Sequence, residues 1–334
     1  MSSNHNIWKN KDIFKKNPES FYTLSKADIN DIDNALNQVI ELNLPYFTLR
    51  KGDVSFGDFK NKLVNFREII EYGNGVLRLR GLPIKKYSVG ELKIIFYIIC
   101  LEFGRPTPQS SSGNMIGIIE TLDDPKNTKN GKIINRTGSP ESLPFHTEAI
   151  CDINSLFYIQ NSEQGGELYI SNSYAIYNYL LDNEPNILDE LCKPYYYKQQ
   201  HFNKGRKEVM SFPVFSVNNG KVMAHCVPTN IKNSIGQEGV PEISDLQMKA
   251  LDRFVELANS EEFSVSLNQE EGDMIFLNCF NTLHARTKYK DSDDASKKRK
   301  MFRVFLYEYK HYEVAKPKDI RLQSYVKVVP DMVN

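Results

Sequence analysis

Three short stretches carry side chains whose types and spacing suit redox metal chemistry. In LPFHTEAICD, His146 and Glu148 lie two residues apart, and in an extended segment residues i and i+2 project to the same face. An imidazole and a carboxylate on one face are two thirds of a facial triad, the set of two histidines and one carboxylate that leaves three positions of an octahedral iron(II) open. Taken alone, His-x-Glu is a weak signal that occurs by chance in many proteins, and a surface strand with a polar face is its ordinary reading. In FLNCFNTLHART, His284 follows the strand-like DMIFLNCF, where a loop could carry its ring over the mouth of a barrel; a structural histidine fits as well. In KKRKMFRVFLY, Arg299 and Arg303 share a strand face with Met301 and Phe305. Two inward guanidiniums are costly unless each meets an anion. Either a pair of buried salt bridges or a carboxylate-bearing ligand held by two-pronged hydrogen bonds satisfies them. Zinc competes for a site of two histidines and a glutamate, so on these residues a zinc hydrolase stays a rival.

The remaining candidates read more plainly. His225 looks like a strand histidine and His201 a surface one. Tyr195, Tyr196 and Tyr197 read as sheet packing. Gly165-Gly166 suits a hairpin turn and lacks the helix start and spacing of a phosphate loop. No Ser-His-Asp arrangement stands out.

Helices and strands must position these groups. SKADINDIDNALNQVIELN places Ile29, Ile32, Leu36, Val39 and Ile40 on one helical face with Ser25 as N-cap. A second helix runs through Phe59, Leu63, Phe66 and Ile70 and ends at Gly73, and a third begins where Ser88 and Glu91 have capping-box spacing. The strand-like GVLRLRGLPI lies between them. Beyond residue 106 the texture turns to short strands: SLFYIQ, GELYIS, PYYYKQQ, FPVFSV, KVMAHCV, DMIFLNCF and KMFRVFLYEYK. They are interrupted by a helical SYAIYNYLLDNEPNILDEL that breaks at Pro185 and by SDLQMKALDRFVELANS, capped by Ser244 and Gln247. KYKDSDDASKKRK reads as a mobile, solvated loop. Helices first and many short strands afterwards suggest an α+β protein with a sandwich or barrel-like core. Residues 1–20 are expected to be a flexible terminus, 21–315 a single domain (helical to about 105, core about 106–310) and 316–334 a tail.

Composition narrows the partners. Lys+Arg and Asp+Glu both total 42, a balance that argues against a nucleic-acid binder. Five cysteines without a CxxC argue against a zinc finger or disulfide framework and fit a reducing, cytoplasmic setting. The polar, lysine-rich N-terminus has no apolar signal region, and the longest apolar run, Leu92 to Phe103, is too short to span a bilayer. Small molecules or another protein are the expected partners, with no nucleic acid and no membrane.

Together these pieces resemble the taurine and clavaminate dioxygenase family of iron(II)/2-oxoglutarate oxygenases. The resemblance runs in order through GVLRLRGLPIKKYS, EFGRPTPQ, LPFHTEAICD, QGGELYISNSYAIYNYLL, FPVFSVNNGK, EEGDMIFLNCFNTLHART and RKMFRVFLY. It implies an α+β fold whose core is a double-stranded β-helix, a distorted jelly roll, with flanking helices. By resemblance, His146, Glu148 and His284 are the iron ligands, Arg299 grips the far carboxylate of 2-oxoglutarate, and Arg303 matches an arginine that in some members binds an anionic group of the primary substrate. Iron(II), 2-oxoglutarate and dioxygen would then oxidise a small polar substrate, an amino acid or derivative, free or tethered to a peptidyl carrier protein, with succinate and carbon dioxide as coproducts. Halogenating members lack the carboxylate at the position of Glu148, so its presence favours hydroxylation; desaturation or epoxidation would use the same site. Three departures stand out: Glu148 where many members carry Asp, Leu168 where Ser or Thr often contacts 2-oxoglutarate, and His225-Cys226 in place of an Arg/Tyr-rich segment. Leu168 leaves room for a different class of protein, a jelly-roll sensor that binds metal and ligand without turnover.

Overall fold

The computed structural model describes residues 7–108, 113–121, 128–129, 132–133, 138–148, 151–198, 209–218 and 221–307. Helices Lys26–Leu42, Phe59–Glu71 and Val89–Phe103 build the first layer. All three predicted caps are present: Ser25 with Asp28, Ser88 with Glu91, and Ser244 with Gln247 at the start of Asp245–Asn259. Each caps its helix by closing two otherwise orphaned backbone donors reciprocally. Of the first helix's expected apolar face, Ile40 is 52% exposed, because Leu36 and Val39 already occupy the core side of the last turns.

These helices pack on a seven-stranded sheet ordered Phe21–Thr23, Val76–Arg80, Met274–Asn278, Ile153–Gln160, Lys300–Tyr307 and Arg105–Thr107, with Gly117–Glu120 also pairing to Lys300–Tyr307. Phe21–Thr23 runs parallel to its neighbour and the other pairings are antiparallel. A second, four-stranded sheet runs Ser264–Ser266, Leu168–Asn172, Thr282–Arg286, Leu143–His146.

Side-chain alternation shows how the layers stack. Phe157, Phe302, Val304 and Leu306 of the large sheet join the helical residues Ile95, Phe96 and Ile99 in one apolar cluster. The opposite face, with Leu156, Tyr158 and Met301, clusters with Leu168, Ile170 and Val265 of the small sheet. The far face of the small sheet, Phe145, Leu283 and Ala285, packs on Ile176, Leu180, Phe254 and Leu257. The order is therefore helices, sheet, sheet, helices, with a space between the sheets that both line.

Several expectations change. Residues 7–20 are anchored rather than flexible: Trp8 is buried between the sheets and donates its indole N–H to the Asn74 carbonyl at 3.1 Å, and Ile13 is buried beside it. FPVFSV divides at Val214 into Val209–Pro213 and Phe215–Asn218, which pair with different partners. KVMAHCV keeps only Lys221–Ala224 as strand; beyond it the His225 N–H turns to the Val214 carbonyl. The expected solvated stretch 288–300 contains a short strand, Tyr289–Lys290, paired to Gln164–Gly165, and buries Tyr289. No helix among the described residues is long and apolar enough to cross a membrane. His201, the last three residues of KMFRVFLYEYK and the tail 316–334 lie outside the described residues.

Candidate metal centre and anion pocket

His146, Glu148 and His284 come together on the inner side of the small sheet. Each offers a ligand atom, and these atoms all lie within 4.8 Å of one another. Local sequence explains the convergence. Phe145 and Thr147 point outward, Phe145 into the apolar cluster behind the sheet and Thr147 to Cys226, whose N–H donates to its hydroxyl at 3.0 Å. Their alternates His146 and Glu148 therefore face inward. His284 does not ride on a loop, as its place after DMIFLNCF suggested. It sits within the strand Thr282–Arg286, flanked by the outward Leu283 and Ala285, and is the direct cross-strand partner of His146. The two rings are 4.2 Å apart between centroids.

Hydrogen bonding orients the donors. A carbonyl can only accept, so the 2.7 Å bond between His146 Nδ1 and the Pro144 carbonyl places the proton on Nδ1 and leaves the Nε2 lone pair for a metal. His284 Nε2 lies 3.7 Å from Glu148 Oε1. Desolvation acts to raise the Glu148 carboxyl, yet the His284 imidazole, the Arg303 guanidinium and His146 outweigh it and hold the group down at about 2. The site thus presents an anionic carboxylate beside two imidazoles. This is a donor set for a borderline divalent metal, and it leaves coordination positions open.

Arg303 lies within the last strand, Lys300–Tyr307, whereas Arg299 immediately precedes it, and the two behave differently. Arg303 lies on the inner face beside Phe305; Arg299, before the strand and its register shift at Lys300/Met301, comes to that face through its contact with Met301. Arg303 reaches the triad, with Nη1 4.0 Å from Glu148 Oε1 and its guanidinium over the Phe305 ring at 4.2 Å. Their side chains keep 20% and 18% exposure, so the site opens to solvent on this side. Arg299 is only 4% exposed. Its guanidinium lies over Tyr289 at 5.2 Å and Nη2 contacts Met301 Sδ at 2.9 Å. Nη1 has no hydrogen-bond partner, and no described carboxylate pairs with this guanidinium. A buried cation in this state calls for an anion.

Sequence reading missed the groups around it. Arg286, two residues beyond His284 and so on the same face, is also buried, has its guanidinium over the same Tyr289 ring at 4.7 Å, and donates to the Ser139 carbonyl at 2.6 Å and to that of Glu141. Burial, and then the neighbouring Arg299, push it down to about 10. Tyr158 faces the same space, its phenol pushed up to about 12 by burial. The i+2 spacing from His284 could have revealed Arg286; Tyr289 was hidden by its charged, turn-like surroundings. Gly165 and Gly166, both at positive φ, let the hairpin close on this pocket: a Cβ on Gly165 would stand 2.1 Å from the Lys288 carbonyl, and one on Gly166 3.7 Å from Arg299 Nε. His225 takes no part in the triad; its ring packs on Phe212 at 3.9 Å and Tyr197 at 5.2 Å.

The residues present fit iron and a dicarboxylate cosubstrate: a compact His/Glu/His donor set, and a buried, unpaired guanidinium facing the same inter-sheet space. Comparison with known proteins agrees. FR-33289 synthase of Streptomyces rubellomurinus is 27% identical over 281 residues, covering 82% of this chain and 80% of that protein. A taurine hydroxylase-like protein, SAT17, of Stachybotrys chartarum is 27% identical over 293 residues, covering 84% and 73%. Among solved structures, an asparagine oxygenase (AsnO) superposes with a TM-score of 0.68 at 13% identity, over 86% of this chain and 93% of that one. The non-haem iron oxygenase OrfP, in complex with iron, succinate and (3S)-hydroxy-L-Arg, gives 0.65 at 13% identity, over 86% and 94%. The family model described as taurine catabolism dioxygenase TauD, TfdA family, matches residues 45–305, so the chain belongs to that family and is a 2-oxoglutarate-dependent non-haem iron dioxygenase.

Proposed function

We propose that this enzyme hydroxylates an aliphatic carbon of an amino acid or amino-acid derivative. The two facing sheets are read as a double-stranded β-helix, within one oxygenase unit spanning about residues 21–315. His146, Glu148 and His284 hold iron(II), Arg299 holds the far carboxylate of 2-oxoglutarate, and Arg303 faces the primary substrate. The observation that carries this reading is the convergence of the three donors within 4.8 Å, with the unpaired Arg299 guanidinium buried on the same inner face.

When bound, iron with 2-oxoglutarate and dioxygen supplies the oxidant that removes hydrogen from the substrate, giving succinate and carbon dioxide alongside the product. The protein's own groups do the rest. The Pro144 carbonyl keeps His146 in the tautomer that can ligate. Glu148 stays ionised and contributes one negative charge, which leaves the cosubstrate's carboxylate to supply further anionic donors. Arg299 fixes the cosubstrate's far end, and the apolar walls of Leu156, Leu168 and Ile170 exclude water from between. Arg303, at the solvent-reaching side, suits a carboxylate of an incoming substrate. The choice of an amino acid is supported by solved fold relatives that hold 3-hydroxyasparagine and hydroxyarginine. A substrate presented on a carrier protein would enter from that same side.

The test is a panel of amino acids and derivatives screened for substrate-stimulated succinate formation, with products checked for the mass of one added oxygen. Iron-dependent stimulation by at least one amino-acid-like compound is expected. Binding of iron and 2-oxoglutarate with no stimulation by any member would overturn the substrate class, and full activity with zinc in place of iron would overturn the oxidative chemistry.

A further inference from the structure

Asn154 is the second residue of the Ile153–Gln160 strand, which runs between Met274–Asn278 and Lys300–Tyr307, with Leu277 and Phe305 as its cross-strand neighbours. It is 1% exposed. Ile153 and Phe157 of this strand pack toward the helices, whereas Leu156 and Tyr158 face the inter-sheet space. Alternation therefore puts the Asn154 amide on the inner face. There Nδ2 lies 3.4 Å from His284 Nε2, the nitrogen that also faces Glu148. Its other end, Oδ1, is buried with no hydrogen-bond partner.

A buried amide offers two donors and an acceptor with two lone pairs, and leaving such atoms unsatisfied destabilises the fold. Asn154 has one long contact, and that contact cannot outlast metal binding. Once His284 Nε2 ligates, its lone pair is committed and it has no proton to give. Both ends of the amide are then unpartnered beside an occupied metal. An apolar residue of similar size would pack there at less cost, among neighbours such as Leu277 and Phe305. The amide is explained by a partner that arrives with the metal.

We infer that Asn154 is a positioning residue of the metal centre whose amide donates to the metal-binding carboxylate of 2-oxoglutarate. The inference rests on the proposed ligand set. Its direction comes from the strand itself. Asn154, Leu156 and Tyr158 form one inward row that starts at the triad, and Tyr158 is the register partner of Met301, whose sulfur touches Arg299. The row thus leads from the metal donors to the guanidinium assigned to the cosubstrate's far end, and Asn154 stands at the metal-binding end.

The experiment compares wild type with Asn154→Leu and Asn154→Asp by three measurements. Anaerobic iron(II) protein is titrated with 2-oxoglutarate and followed by the visible charge-transfer band of the chelated keto acid. Cobalt(II) affinity without 2-oxoglutarate is read from its visible spectrum, and the thermal midpoint of the metal-free protein is recorded. For Asn154→Leu the 2-oxoglutarate dissociation constant should rise about fivefold to tenfold, the weight of one hydrogen bond to a bound carboxylate, and the band should shift. Cobalt(II) affinity should stay within about threefold, a change smaller than 1 kcal/mol, and the metal-free midpoint should hold or rise. Asn154→Asp should weaken 2-oxoglutarate further, because a carboxylate then faces a carboxylate. An unchanged band and constant in Asn154→Leu would overturn the inference. So would a cobalt affinity that falls in step with 2-oxoglutarate, which would make Asn154 an orienter of His284, or a large loss of metal-free stability, which would make it structural. A wild-type protein that gives no band refutes the ligand set itself, and the inference falls with it.

Discussion

Arg303 Nη1 and Glu148 Oε1 lie 4.0 Å apart, so the last strand sends Arg303 to the His146–Glu148–His284 cluster, while Arg299, just before that strand, enters the closed pocket over Tyr289. Four residues separate them on one face, roughly 13 Å of backbone at about 3.3 Å per residue. One small dicarboxylate cannot bridge both guanidiniums and also chelate a metal at the triad. On the proposed assignments the two cations serve two anions, and substitutions should separate their effects.

Arg299→Lys keeps the charge but loses the planar two-pronged geometry, a difference of about 1.5–3 kcal/mol for a charge-assisted bond. The 2-oxoglutarate concentration for half-maximal turnover should rise roughly tenfold to hundredfold. Steady-state succinate assays across 2-oxoglutarate concentrations will show it, and a cosubstrate requirement left where it was would remove Arg299 from this role.

Arg303→Lys should raise the requirement for the primary substrate while uncoupled 2-oxoglutarate decay, measured without that substrate, stays near the wild-type rate. Should Arg303 instead control 2-oxoglutarate, the two assignments are exchanged.

Glu148→Ala removes the anionic ligand and leaves a cavity beside His284. Turnover should fall at least about a hundredfold, beyond the ten- to hundredfold typical of losing a group that merely supports a ligand. The far-ultraviolet circular dichroism spectrum of the metal-free protein should be preserved, since the two sheets and their clusters do not depend on this side chain. Near wild-type hydroxylation by the variant, with no added carboxylate or halide, would show that Glu148 is not a ligand.

Far from the site, burial acts to raise the Asp28 carboxyl, but Lys62, the Ser25 backbone N–H and hydroxyl, and the Tyr22 hydroxyl together hold it below its ordinary value. The folded form thus binds this proton less readily than the unfolded chain. The resulting stability is fully present above the unfolded value of about 3.9 and is lost as pH falls through the lower folded value. Urea midpoints measured downward from pH 6 should fall more steeply below about pH 4 in wild type than in Asp28→Asn, which is less stable at neutral pH but lacks this acid-sensitive contribution. Parallel acid limbs for the two proteins would contradict the linkage.

Much of this was legible in residue order. The helix caps at Ser25, Ser88 and Ser244 need only local spacing, and the inward side of Arg303 needs only a strand; Arg299, read as part of that strand, lies just before it. The pairing of His146 with His284 was not derivable locally, because no periodicity states which distant strands become neighbours. It placed His284 in a strand where local sequence suggested a loop. Tyr289 was misread because its neighbours are charged, although its ring serves the two buried guanidiniums. Asn154 was overlooked inside an apolar run whose two faces look alike until the second sheet is known. Trp8 escaped for the same reason, its burial depending on the distant Asn74 carbonyl.

The register that sets His146 opposite His284 also orders events in time. A chain emerging from the ribosome exposes His146 and Glu148 long before His284, and two neighbouring donors on an unpaired segment hold a divalent ion weakly. Closing so long a loop is slow compared with forming the flanking helices. Full chelation must wait until Thr282–Arg286 docks on both Leu168–Asn172 and Leu143–His146. On the proposed ligand set, tight metal capture therefore coincides with or follows the docking of Thr282–Arg286.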